Sequence, residues 1–106
     1  RRVSVVFALA GIPYVAISMG ADGALLAENG RGWLATPPQI QERNPIGAGD
    51  SFVGGMVWGL SQGDALSALR WGVACGAATA SHDGTAVGTR EEVEQLAEKV
   101  QIREIE

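Results

Sequence analysis

The stretch that most limits how this chain can fold is Asn44 to Gly55, NPIGAGDSFVGG. Glycines stand at 47, 49, 54 and 55, Asp50 stands among them, and the apolar run Met56 to Leu60 follows directly. A flexible linker would lead into polar sequence, whereas this one leads into residues that must be buried. The pattern predicts a helix over Gly49–Leu60 that opens on the Gly-rich loop. A helix start carries N–H groups without intrahelical acceptors and about half a unit of positive charge. Glycine at 47 and 49 leaves the backbone N–H groups of Ala48, Gly49 and Asp50 open to an anion. Asp50, in the first turn, is a carboxylate whose charge the helix dipole favours. An anion hole beside a carboxylate suits phosphoryl transfer: the hole holds the developing charge and the carboxylate takes the proton of the attacking hydroxyl. Spacing alone leaves a second reading open, a plain helix N-cap, which is the commoner use of Asp and Gly. Two other Gly-rich loops fail on particular residues. The dinucleotide pattern G-x-G-x-x-G needs glycine where Phe52 stands, and a Walker A loop needs a lysine, of which the chain has only Lys99.

The remaining composition excludes several classes. With 106 residues, 46% hydrophobic and 19% charged, the chain can bury one core. Net charge is −4 and no basic cluster occurs, which argues against nucleic acid as a partner. A membrane-spanning helix needs about 20 apolar residues, and Gly11, Pro13 and Gly20 interrupt the most apolar stretch, so no membrane is expected. Cys75 is the only cysteine, which rules out an internal disulfide and fits a reducing, cytoplasmic setting. His82 is the only histidine, so any Ser-His or Cys-His chemistry would have to use it.

Along the chain, Arg1–Leu9 reads as the tail of a helix whose beginning is missing, closed by Gly11-Ile12-Pro13. Tyr14–Ser18 is a short buried strand and Met19–Gly23 a tight loop. Ala24–Glu28 and Gly32–Ala35 flank Asn29-Gly30, a hairpin signal. Ile40–Arg43 is a brief extended piece. Asp64 is the expected N-cap of a helix over Ala65–Ala80, with Leu66, Leu69, Val73 and Ala77 on one face. The small residues 74–78 allow another backbone or a flat ligand to come close. Ser81–Gly88 is a loop, Thr89 to Glu92 a capping box, and Val100–Ile105 a terminal edge strand.

Asn44 to Met56 resembles the C-terminal signature of the PfkB (ribokinase-like) family of carbohydrate kinases. Two further stretches are similar to that family in the right order. Ser18-Met19-Gly20-Ala21-Asp22-Gly23 resembles its strand-end S-x-G-x-x-G, and Trp71 to Ala78 resembles the helix beside the nucleotide. The wording resembles most the hexose-phosphate branch, that of tagatose-6-phosphate kinase and 1-phosphofructokinase. The resemblance implies the C-terminal portion of a Rossmann-like, three-layer α/β/α ribokinase fold. It implies an ATP-dependent kinase acting on a hydroxyl of a sugar or sugar phosphate, with Mg2+ held by residues outside this chain. Asp50 matches the catalytic base and Gly47, Ala48 and Gly49 the anion hole. Ser18, Gly20 and Gly23 match a loop near the ATP phosphates, and Ala74, Ala78 and His82 the adenine and ribose lining. His82 stands where the family often has Asn, so its role stays open. The family's sugar-binding half, β-lid and N-x-x-E motif are not in residues 1–106, which implies a piece inactive by itself. A homo-oligomer is compatible with the resemblance. A ribokinase or nucleoside-type kinase, or a non-catalytic ATP-binding remnant, stays open beside the sugar-phosphate reading.

Overall fold

The computed structural model describes residues 2–41, 43, 47–82 and 89–105. Four strands come first: β1 (Val3–Leu9), β2 (Ile12–Ser18), β3 (Ala24–Glu28) and β4 (Arg31–Thr36). Helices α1 (Ala48–Gln62), α2 (Ala65–Ala80) and α3 (Arg90–Lys99) follow, and β5 (Gln101–Ile105) closes the chain. The five strands form one sheet in sequence order, every neighbouring pair antiparallel.

The expected helix over Arg1–Leu9 is corrected by the structure: residues 3–9 are strand β1. Val3, Val5, Phe7 and Leu9 turn inward, while Ser4, Val6 and Ala8 face out, a period of two. Apolar Val6 on the outer face, 76% exposed, is what disguised that alternation. Gly11 does not end a helix. Ala10 and Gly11, at φ 53° and 81°, make the turn into β2. Pro13 lies on β2 beyond the reach of β3, whose register begins at Val15. The Asn29-Gly30 hairpin is present, with Glu28 opposite Arg31.

The inward face of the sheet carries Val5, Ala16, Ala24, Leu26, Trp33, Ala35 and Ile102, which pack with Phe52, Met56, Leu69, Val73 and Ala97 of the helices. All three helices therefore cover one face. Helices α1 and α2 meet almost backbone to backbone. A Cβ on Gly55 would lie 2.5 Å from the Trp71 carbonyl oxygen, and one on Gly59 2.6 Å from the Ala68 Cα. Glycines in α1, which weaken an isolated helix, thus give way to a close α2. The small run at 74–78 serves that contact from the other side, with Ala74, Ala77 and Ala78 buried.

Caps hold the ends. Asp64 accepts the Ser67 N–H at 2.9 Å, and that bond keeps its carboxyl below the usual range. Thr89 and Glu92 form the full capping box. Arg70 Nη1 donates to the carbonyls of Ala97 (2.7 Å) and Val100 (2.6 Å), satisfying the end of α3. No helix among the described residues is long and apolar enough to cross a membrane.

Candidate active site

Gly47 is the N-cap of α1, with φ 89°, and no side chain caps the helix there. That left-handed backbone suits glycine and costs any residue with a Cβ. The first intrahelical bond runs from the Ser51 N–H to the Gly47 carbonyl at 2.9 Å. The N–H groups of Ala48, Gly49 and Asp50 precede it and have no helical acceptor. Asp50 is exposed in the same turn, and its carboxylate makes no hydrogen bond or ion pair with the described residues. Three donors and one carboxylate on a single turn, without partners among the described residues, can hold an anion and accept a proton beside it.

The turn is wedged from two sides. A Cβ on Gly49 would sit 2.6 Å from Val3 Cγ2, so that glycine makes room for β1. Val3 in turn donates its N–H to Ser18 Oγ at 3.0 Å. From below, α2 supports the turn. The position of a Cβ on Gly47 lies 3.8 Å from Thr79 Cγ2, and that of one on Gly76 3.3 Å from the Ala48 carbonyl oxygen. Ser51 Oγ and Thr79 Oγ1 are 2.6 Å apart. Asn44, Pro45 and Ile46 of the motif lie outside the described residues, as does the 83–88 part of the expected loop.

Of the remaining expected site residues, Ser18 is buried at the end of β2, its hydroxyl engaged by the N–H of Val3, whose side chain faces Gly49. Gly20 and Gly23 bracket a 3-10 turn, Gly20–Asp22, just beyond it. Gly23 has φ 98°, and a Cβ there would run into the Ala35 carbonyl. Ala74 and Ala78 carry no appreciable exposed surface, so in this structure they shape the α1–α2 contact. His82 stands at the end of α2, its side chain 30% exposed, with Nε2 2.7 Å from Glu92 Oε2. The His82 hydrogen bond and the Thr89 N–H hold the Glu92 carboxyl below its usual range. Sequence reasoning missed the His82–Glu92 pair, although a capping-box Glu ten residues after a lone His was a visible signal. It also missed Val3 and Thr79, for which no local pattern existed. A cleft of about 480 Å³ between Trp33, Asp64, Arg70 and Glu104 lies at the other end of α2 and shares no residue with this turn. Cys75 is half-buried and burial raises its thiol pKa, which makes it a poor nucleophile.

The family description "pfkB family carbohydrate kinase" matches residues 4–92. The chain is 33% identical over 94 residues to 1-phosphofructokinase of Escherichia coli strain K12, covering 88% of this chain and 30% of that protein. It is 41% identical over 93 residues to 1-phosphofructokinase of Bacillus subtilis strain 168, covering 87% and 30%. The solved structure of phosphofructokinase-2 from Escherichia coli in complex with potassium is similar with a TM-score of 0.75 and 29% identity, over 81% of this chain and 28% of that one. Fructokinase from Vibrio cholerae O395, bound to fructose, ADP and calcium ion, gives 0.67 and 28%, over 76% and 29%. The chain thus spans about 30% of the length of the relatives it matches, and its structure is a fragment of their α/β fold.

Proposed function

The chain belongs to the pfkB family of carbohydrate kinases, and from that premise we propose that it carries the ATP site and the catalytic base of a sugar-phosphate kinase. The observation that carries this reading is the first turn of α1, where three N–H groups and the exposed Asp50 carboxylate share a turn and have no partner among the described residues. Asp50 takes the proton of the sugar hydroxyl as that oxygen attacks. The N–H groups of Ala48, Gly49 and Asp50 hold the negative charge that builds on the transferred group. ATP supplies that phosphoryl group. The turn after Ser18, with Gly20 and Gly23, flanks the same end of the sheet and is assigned to the ATP phosphates. His82 is assigned to the nucleotide side, with Ala74 and Ala78 backing it from within α2. We assign Mg2+ no ligand in this chain, and we place the sugar site and its lid in parts of the kinase outside residues 1–106.

The substrate class rests on the relatives, several of which are 1-phosphofructokinases. The test is phosphoryl transfer from ATP, with Mg2+, by the longest expressed form of the protein, to each of fructose 1-phosphate, fructose 6-phosphate, tagatose 6-phosphate and ribose. Turnover of a hexose phosphate in preference to ribose is expected. Preference for ribose moves the protein to the unphosphorylated-sugar branch. Binding of ATP without turnover of any sugar leaves a nucleotide-binding remnant.

A further inference from the structure

The two chain segments that flank the Gly-rich loop are both tied to α2, and to consecutive residues of it. Upstream, the Arg43 N–H donates to the Ala80 carbonyl at 2.7 Å. Downstream, Ser51 Oγ meets Thr79 Oγ1 at 2.6 Å. Thr79 is 7% exposed, and its methyl lies beneath Gly47. A buried hydroxyl without a partner would be costly, and the described partner of this one is Ser51, the residue after Asp50. We propose that Thr79 is a positioning residue for phosphoryl transfer: through Ser51 it fixes the first turn of α1, and so sets where the Asp50 carboxylate and the three N–H donors stand. The claim rests on the reading of Asp50 as the base and goes beyond it, because Thr79 is buried and acts through Ser51. A base works only within hydrogen-bond reach of its proton, and a shift of about 1 Å in a supporting element can cost about a hundredfold in rate. Helix starts fray, and this one has no side-chain cap of its own. The hydroxyl pair supplies from α2 the tether that the missing cap would otherwise supply.

The test uses the longest expressed form of the protein and measures kcat, both KM values and thermal melting for Thr79→Val, Thr79→Ser and Ser51→Ala, each alone and in an Asp50→Asn background. Thr79→Val keeps the methyl near Gly47 and deletes the hydroxyl. Ser51→Ala breaks the same bond from the half-buried side and serves should Thr79→Val not fold. The expected result is a kcat lower by about tenfold in both, the scale of one hydrogen bond, with both KM values within about twofold. Thr79→Ser restores the rate. In the Asp50→Asn background the tether variants lose less than they do alone, because the carboxylate, one of the two groups they position, is gone. A wild-type kcat in folded Thr79→Val or Ser51→Ala overturns the proposal. So does a loss of the same size in the Asp50→Asn background, which would make the effect general. If Asp50→Asn alone is as fast as wild type, it is the base assignment that fails, a separate outcome.

Discussion

At the scale of single residues, the clearest constraints come from backbone positions that admit no side chain. Gly23 combines φ 98° with the Ala35 carbonyl where a Cβ would be. Gly23→Ala must therefore move β4 or refold the turn, and we expect a loss of about 3 kcal/mol or more, read from the urea midpoint. Gly47→Ala should be milder for folding, about 1–2 kcal/mol for left-handed backbone at one residue, because its Cβ would meet nothing closer than 3.8 Å. The sequence marked both glycines, but for partly different reasons. The sequence predicts Gly49 as clearance for a ligand; in the structure the neighbour it clears is Val3. That contact joins residues 46 positions apart and could not be seen from spacing. The Ser51–Thr79 pair was hidden for the same reason, since nothing near Thr79 in sequence distinguishes it from its small neighbours.

At the scale of elements, local chemistry was legible and pairing was not. Asp64, Thr89 with Glu92, and Asn29-Gly30 each sit where capping and turn rules put them. The bounds of α2 follow from its cap and its small residues. Strand β1 was missed because Val6 broke the alternation and because its partner β2 decides its conformation. The caps allow tests with a sign. Asp64 has a folded pKa below its unfolded value of about 3.9, so its stabilisation is fully present above that value and is lost as pH falls through the folded pKa. Asn caps as well as Asp but does not titrate. Asp64→Asn should leave neutral-pH stability within about 0.5 kcal/mol and flatten the acid limb of a stability-versus-pH curve, whereas Asp64→Ala should cost about 1 kcal/mol at pH 7. An acid limb as steep in Asp64→Asn as in wild type would assign that limb to other carboxylates. Glu92 has the same sign, with its pKa lowered by His82 and by the Thr89 N–H. At the α1–α2 contact, Gly55→Ala would put a methyl 2.5 Å from the Trp71 carbonyl oxygen. We expect it to destabilise by about 1–3 kcal/mol as the helices separate, measured by thermal melting.

At the scale of the whole molecule, the helices cover one face of an antiparallel sheet, and the start of α1 meets the end of α2 and the β1–β2 edge. That convergence brings together residues as distant as Val3, Gly49 and Thr79. The family was legible from three motifs in order, and the match over residues 4–92 establishes it. What the motifs could not convey is the support under the loop, because packing is not written in a signature. The central claim is that Asp50 is the proton acceptor. The most direct test is the rate of ATP-dependent sugar phosphorylation by the longest expressed form of the protein, wild type against Asp50→Asn, at saturating substrates. The expected kcat is lower by about 10²- to 10⁴-fold, with melting temperature and ATP affinity little changed. An Asp50→Asn protein that turns over as fast as wild type would contradict it.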